Sequence, residues 1–97
     1  MNKTLLTLYK EPGKDPVVKT IPNTLHDLQQ AIGGNIEVVD YKDGIVMLCD
    51  EEGYLYGLRE NVLGIYGPIV VCRVDGEDFA SLKGTEILDL ARKDFAE

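Results

Sequence analysis

Short apolar runs separated by glycine and proline turns follow one another along the chain and predict several β-strands. The segment TLLTLYK, residues 4–10, predicts a strand that closes in a turn at Pro12-Gly13. The next run, DPVVKTIP, has a proline at each end, which favours an edge strand because proline cannot donate to a sheet ladder. Residues 36–41 alternate into another strand, and the KDG that follows is typical of a tight hairpin.

Two later runs are apolar throughout and do not alternate. IVMLC, residues 45–49, is typical of a central strand that is covered on both faces. IVVCRV, residues 69–74, predicts another strand, which ends at the Asp75-Gly76 turn. Between them, YLYGL at 54–58 predicts a further short strand, and RENVLGIYG at 59–67 predicts an irregular loop or a single helical turn.

Two segments have helical periodicity. The first helix, at about 24–33, can be capped by Asn23 or Thr24, has Asp27 three residues after Thr24 as in a capping box, and ends at Gly33-Gly34. A helical turn and then a second helix, at about 85–95, follow the last strand. The expected buried stripes are Leu25, Leu28 and Ile32 in the first helix, and Ile87, Leu88, Ala91 and Phe95 in the second. The order β-β-α-β-β-(β)-β-α predicts an α+β protein, a single domain over residues 1–97 with a mostly antiparallel sheet of four to six strands.

Charge and length narrow the classes of function. The formal net charge is −7, and residues 36–97 carry fourteen acids against six bases, so we expect no binding to nucleic acid. Such a surface suits a basic protein partner, although it also keeps many small proteins in solution. A chain of 97 residues is too short to enclose a drug-sized ligand. We therefore expect any sizeable ligand in a surface groove or between the subunits of a homo-oligomer.

Two cysteines and the absence of long apolar stretches bear on location. Cys49 and Cys72 lie inside apolar runs and are expected to be buried thiols in a reducing compartment. No run approaches the length of a membrane span, and the start of the sequence is too short and polar for a secretory signal. We expect no membrane association and a cytoplasmic location.

A search for catalytic motifs leaves no candidate enzyme site. His26 is the only histidine and has no cysteine or second histidine at ligand spacing. The acidic clusters at 50–52 and 75–78 do not have the spacing of a calcium loop. Ser81 is the only serine, lies in no nucleophile elbow and is expected to cap or turn the backbone. We therefore predict no catalytic residue, no metal site and no cofactor, and we do not expect an enzyme.

Recognition residues are concentrated in CDEEGYLYGLRENVLGIYG, residues 49–67. Tyrosine rings stack on bases or on partner side chains, and arginine pairs with phosphate or carboxylate. The predicted ligand-binding residues are Tyr54, Tyr56, Arg59, Asn61, Tyr66 and Arg73. The alternative is that the tyrosines cap the core and that Arg59 pairs with Glu51 or Glu60.

About two thirds of the chain resembles a small family of unknown function that is encoded mostly by bacteriophages, plasmids and Gram-positive bacteria. The matching segments are LHDLQQAIGGNIEVV (25–39), MLCDEEGYLYGLRENVLG (47–64), YGPIVVC (66–72) and DFASL (78–82). Asp50 stands where the family pattern has asparagine, and Arg59 stands where it has proline. The pattern implies no catalytic residue, and Asn61 is the only polar side chain that it singles out. The resemblance implies a phage or mobile-element accessory protein that acts by binding.

These observations lead to two hypotheses. In the first, the protein sequesters a nucleotide-like small molecule, such as a host immune signal, at a homo-oligomer interface lined by Arg59, Arg73 and Lys42. In the second, the protein is an acidic interaction module that inhibits a basic host protein. Only the second should weaken steeply with ionic strength.

Overall fold

The apolar runs form one six-stranded sheet in the computed structural model, which describes residues 3–97. Its elements are β1 (Thr4–Lys10), β2 (Val17–Pro22), α1 (Leu25–Ile32), β3 (Ile36–Lys42), β4 (Ile45–Asp50), β5 (Ile69–Asp75), β6 (Asp78–Ala80) and α2 (Gly84–Asp89). α2 continues into a π-helical turn over Leu90–Asp94, and a 3-10 turn covers Val62–Gly64. The predicted α+β class with two helices and a mostly antiparallel sheet is confirmed.

β5 lies at the centre of the sheet, whose strand order is β2-β1-β5-β4-β3. One edge of β5 pairs with β4. The other edge pairs with β1 over its first part and with β6 over its second part. β1 meets the first half of β5, where Leu8 is opposite Val71, and β6 meets the second half, where Arg73 is opposite Ala80. The chain after β6 continues along β1, because the amide of Leu6 donates to Ser81 Oγ at 2.8 Å. Ser81 thus joins β1 to the chain after β6.

Each face of the sheet carries its own hydrophobic core. On one face, Leu28 and Ile32 of α1 pack with side chains that include Val46, Leu48 and Val70. The other face is covered by the C-terminal helical segment, through Ile87, Leu90 and Phe95. Neighbouring residues of β4 and β5 alternate between the two cores, so both strands are buried along most of their length. The prediction that IVMLC is a covered central strand is confirmed.

The predicted turns at the sheet edges are also confirmed. β2 is an edge strand, as its flanking prolines indicated. Asp43 and Gly44 have φ values of 49° and 78° in the hairpin between β3 and β4, as a type I′ turn requires. The hydroxyl of Thr24 accepts from the amide of Asp27 and caps α1.

The strand predicted over YLYGL is wrong, because residues 51–57 form consecutive turns. The amide of Tyr56 donates to the carbonyl oxygen of Glu52 at 3.0 Å, and the amide of Leu58 donates to that of Gly53 at 2.9 Å. These local bonds satisfy the backbone within the turn. A Cβ atom at Gly53 would run into the carbonyl oxygen of Tyr66, so only glycine allows this close approach. Leu55, in the middle of these turns, is 77% exposed.

The C-terminal prediction also needs correction. The helical turn expected after Asp75-Gly76 is the short strand β6. Leu88 is 56% exposed, and Leu90 is buried in its place beside Ile87. Leu90 and Ala91 follow Ile87 at the regular helical spacing of three and four residues and lie on the core face, whereas Leu88 lies on the solvent side. A π-helical turn, in which the amide of Phe95 donates to the carbonyl oxygen of Leu90, ends the segment.

The first helix departs from its predicted stripe at one position. Leu28 and Ile32 are both 2% exposed, as expected. Leu25, in the first turn, is 66% exposed and belongs to neither core. The N-terminal turn of α1 therefore projects an apolar side chain into solvent.

The two cysteines are free and buried, as expected from their apolar surroundings. Cys72 lies opposite Val46 in the sheet, and Cys49 lies opposite Glu37 on the other side of β4. Strand alternation places Cys72 in the α1 core and Cys49 on the opposite face. This geometry excludes a disulfide between them.

We predict that neither thiol reacts in the folded protein. Burial raises the pKa of Cys49 to about 11 and that of Cys72 to about 12, so the nucleophilic thiolate is suppressed in the native state. A chromogenic disulfide reagent at mildly alkaline pH should label neither cysteine until denaturant is added, and then both. Fast labelling of the native protein would contradict this placement.

Candidate functional site

The structure divides the predicted ligand-binding residues among separate places. Tyr54 and Tyr66 contact each other edge to face, with ring centroids 5.1 Å apart. Tyr56 is 68% exposed and lines a groove beside α1, away from that pair. Both tyrosines of the 51–57 turn are exposed, but they do not lie on one face of a strand as expected.

Arg59 contacts the turn between β1 and β2. A Cβ atom added at Gly13 would lie 2.6 Å from Arg59 Nη2, so the guanidinium packs directly on that glycine. No ion pair between Arg59 and Glu51 or Glu60 is present among the described residues. Its side chain is exposed, but it is not grouped with the tyrosine pair.

Asn61 is inside the protein and serves its architecture. Its amide nitrogen donates to the carbonyl oxygens of Lys10 and Gly67, at 2.8 and 2.9 Å. Its side-chain oxygen accepts from the amide of Val62 at 2.8 Å and from Lys10 Nζ at 3.2 Å. With all its hydrogen-bonding capacity used, Asn61 caps the 3-10 turn and has no group left for a ligand.

Lys10, which the sequence pattern does not single out, is the partner of Asn61 and is fully buried. Its ammonium group donates to the carbonyl oxygen of Glu11 and to Glu97 Oε2, each at 2.7 Å. Together with Asn61, these acceptors supply three hydrogen bonds, which is the full donor capacity of an ammonium group. We call Lys10, Asn61 and Glu97 the lysine network.

We predict that Asn61→Ala lowers the free energy of unfolding by about 3 kcal/mol, because it leaves a buried ammonium and two buried carbonyls short of partners. Urea denaturation measures the change. Asn35→Ala is the matched control, because Asn35 is exposed and should cost less than about 0.5 kcal/mol. Equal effects of the two substitutions would show that the lysine network does not stabilise the fold.

Arg73 is engaged in an ion pair and is separated from the tyrosines. Its guanidinium donates to both carboxylate oxygens of Glu86 in α2, each at 2.7 Å, and to the carbonyl oxygen of Asp43 at 3.0 Å. Nearby, Lys42 Nζ lies 3.1 Å from Asp94 Oδ2. Two of the three bases expected to line an anion site, Arg73 and Lys42, are therefore paired with carboxylates, and they hold the C-terminal helical segment to the hairpin.

The Arg73–Glu86 pair makes stability dependent on pH. Hydrogen bonding from Arg73 lowers the pKa of Glu86 below its usual 4.5, so the pair contributes above pH 4.5 and is lost as the pH falls through the lowered value. We predict that Glu86→Gln flattens the acid side of the curve of unfolding free energy against pH. Glu77→Gln removes the same charge from an exposed site and should leave that curve unchanged. An identical acid side in all three proteins would contradict the prediction.

A surface groove lies between α1 and the 51–57 turn and has a volume of about 450 Å³. This volume is within the range of roughly 300 to 1,000 Å³ that is usual for ligand sites. The lining includes the carboxylates of Asp50 and Glu52, the side chains of His26 and Gln29, and Tyr56. None of its nine lining residues is lysine or arginine. The groove is therefore acidic, and we call it the acidic groove.

Asp50 is the most constrained side chain of the acidic groove. It is only 9% exposed, and its Oδ1 accepts from the amide of Glu52 at 2.9 Å, which starts the turn. Its Oδ2 accepts no hydrogen bond from residues 3–97 and is in contact with solvent, because no buried side-chain oxygen or nitrogen in this part of the chain lacks a partner. A Cβ atom at Gly34 would lie 2.6 Å from that oxygen, so the carboxylate rests on a glycine that leaves room for it.

The sequence pattern identifies Tyr56 but does not reveal Asp50 and Gly34 as site residues. It predicts Asp50 as an acidic turn residue, and the bond to the amide of Glu52 agrees with that prediction. It predicts the paired glycines as a helix stop, which Gly33 provides with a φ of 89°. Gly33 alone ends the helix, so the second glycine, Gly34, is the sequence feature that indicates a side chain packed against the backbone at that position.

Comparison with family models shows which family the chain belongs to. The model of a domain of unknown function, DUF3846, matches residues 4–95, so the chain belongs to that family. The resemblance to a small family of unknown function is thereby confirmed. Neither the curated proteins nor the solved structures contain a match to this chain.

Two further observations concern the described residues. None of the helices within residues 3–97 has the length and apolar character needed to cross a bilayer. In the same part of the chain, no three His, Cys, Asp or Glu side chains are grouped so that they could hold a metal ion.

Proposed function

We propose that this protein is a non-enzymatic binding protein whose acidic groove takes a basic segment of a partner protein. The observation that carries the proposal is the lining of the groove, in which Asp50 and Glu52 supply negative charge and no base is present. Opposite charge across an interface speeds encounter and selects the partner. Of the two hypotheses drawn from the sequence, the acidic interaction module therefore has the stronger support.

An exposed apolar segment next to the acidic groove supports a protein partner. Tyr54, Leu55 and Tyr56 are consecutive and are 73%, 77% and 68% exposed. Large apolar side chains grouped at the surface mark interaction sites, and tyrosine is enriched among the residues that anchor interfaces. Because Tyr56 also lines the acidic groove, a partner can contact charge and apolar surface together.

The nucleotide hypothesis stays a prediction and has less support. The Tyr54–Tyr66 pair is a surface on which a base can stack. A phosphate also needs bases around it, and two of those expected, Arg73 and Lys42, are paired with Glu86 and Asp94. The expected homo-oligomer interface also stays a prediction, which light scattering can test.

The setting we propose is the cytoplasm of a host cell, where a phage or mobile-element accessory protein inhibits a basic host protein. The resemblance to a family that is encoded mostly by bacteriophages, plasmids and Gram-positive bacteria supports this setting. The acidic lining of the groove and the exposed side chains beside it support a basic protein as the partner. The fold by itself does not determine the function.

The test is binding of short fluorescent peptides of equal length that carry arginine, lysine or glutamate. We predict that the basic peptides bind and the acidic one does not, and that a tenfold rise in salt weakens binding by roughly tenfold. Fluorescence anisotropy gives the dissociation constants. Calorimetry with a panel of cyclic nucleotides tests the alternative ligand in parallel.

Leu55→Ser should weaken binding of a basic peptide that also carries apolar residues, because it removes apolar contact surface. Leu88→Ser is the matched control, since Leu88 is similarly exposed but lies on α2. The proposal fails if basic and acidic peptides bind equally, or if only a nucleotide binds.

A further inference from the structure

We infer that the acidic groove is a receptor for one arginine side chain, with Asp50 as the anchoring carboxylate. This inference rests on the proposed function and adds the chemical group that the groove recognises. It starts from the state of Asp50, whose side chain is nine-tenths buried and faces the groove. One carboxylate oxygen is held by the amide of Glu52, and the other has no partner in the described part of the chain.

The carboxylate of Asp50 is suited to bind a cationic group. Most of the Asp50 side chain is buried, its one amide donor binds Oδ1, and its Oδ2 reaches solvent and is open to a donor from outside the chain. A cationic donor at Oδ2 supplies both the opposite charge and the missing hydrogen bond. No lysine or arginine of this chain lines the groove, so the donor has to come from another molecule.

Two features of the groove favour a guanidinium over an ammonium group. Guanidinium is planar, weakly hydrated and stacks on aromatic rings, and the ring of Tyr56 forms part of the lining. It also carries five donors, and the side chains of Gln29 and Asn35 add carbonyl acceptors to the same lining. An ammonium has three donors and is more strongly hydrated, so its desolvation costs more.

The absence of a side chain at Gly34 leaves the space that the carboxylate of Asp50 occupies. Any larger residue at this position would place a Cβ atom 2.6 Å from Oδ2 and displace the carboxylate. Gly33 has a different role, because a Cβ atom added there would meet nothing within 4 Å and its φ of 89° ends the helix. The two adjacent glycines therefore allow the role of Asp50 to be separated from the role of the helix end.

The experiment is an NMR titration of the folded protein with N-acetyl-arginine methylamide, and with its lysine and citrulline counterparts. We expect the arginine probe to shift the amides of Gly34, Asp50 and Glu52, the lysine probe to shift them less, and citrulline not to shift them. Asp50→Asn should weaken arginine binding by about tenfold or more. Asparagine keeps the oxygen that accepts from the amide of Glu52, so the turn is retained.

Glu51→Gln is the matched control, because it removes the same charge one position away, at an exposed side chain outside the acidic groove. It should change binding by less than about twofold. Gly34→Ala should weaken binding as Asp50→Asn does, whereas Gly33→Ala should lower stability because alanine is strained at the φ of 89° that ends the helix.

Equal weakening by Asp50→Asn and Glu51→Gln would overturn the inference, since only general charge would then be at work. Calcium ions shifting the same amides while the arginine probe does not would also overturn it. If basic peptides bind wild type and Asp50→Asn equally, the inference fails and the proposed function stands. If the arginine probe binds through Asp50 but no basic peptide binds, the proposed function fails and the arginine site stands.

Discussion

The rest of the structure depends on the burial of β5 on both faces and along both edges. Its residues Ile69 to Cys72 are fully buried, and its backbone pairs with β1, β4 and β6. A strand with apolar side chains on both faces needs a cover on each, and α1 and the C-terminal helical segment supply the two covers. The small size of the chain makes this arrangement efficient, because one strand contributes to both cores.

The lysine network connects parts of the protein that the sheet alone does not hold. Lys10 is at the end of β1, Asn61 precedes the 3-10 turn, and Glu97 follows the C-terminal helical segment. A buried ammonium is costly unless its donors are satisfied, so these three places are held in a defined relation. Asn61, the one polar residue that the family pattern singles out, has this architectural role.

The acidic groove and the exposed 51–57 turn beside it carry charged and apolar side chains that do not hold the fold together. Two of the bases that would serve an anion site have an architectural role instead, since Arg73 and Lys42 hold the C-terminal helical segment. The side chain of Asp50, by contrast, is mostly buried, and its Oδ2 reaches solvent and has no partner within the described residues. Its environment is that of a receptor for a cationic group, and the apolar side chains of the turn extend the contact surface.

The sequence by itself determined the local elements: the covered strand IVMLC, the Asp43-Gly44 hairpin, the Thr24 cap and the two helices. These depend on periodicity and turn chemistry within a few residues, which a single sequence displays. The consecutive turns over residues 51–57 do not follow from such patterns, because they involve the close approach of Gly53 to the carbonyl oxygen of Tyr66. Only the tertiary structure shows which residues come together at the candidate site. Lys10 and Asn61 are 51 residues apart, and Asp50 and Gly34 come from different elements. Lys10 reaches Asn61 because β1 pairs with β5, which no local pattern encodes. Asp50 reaches Gly34 because the β3–β4 hairpin pairs Asp50 with Ile36, and the sequence alone does not show that the carboxylate packs on that glycine.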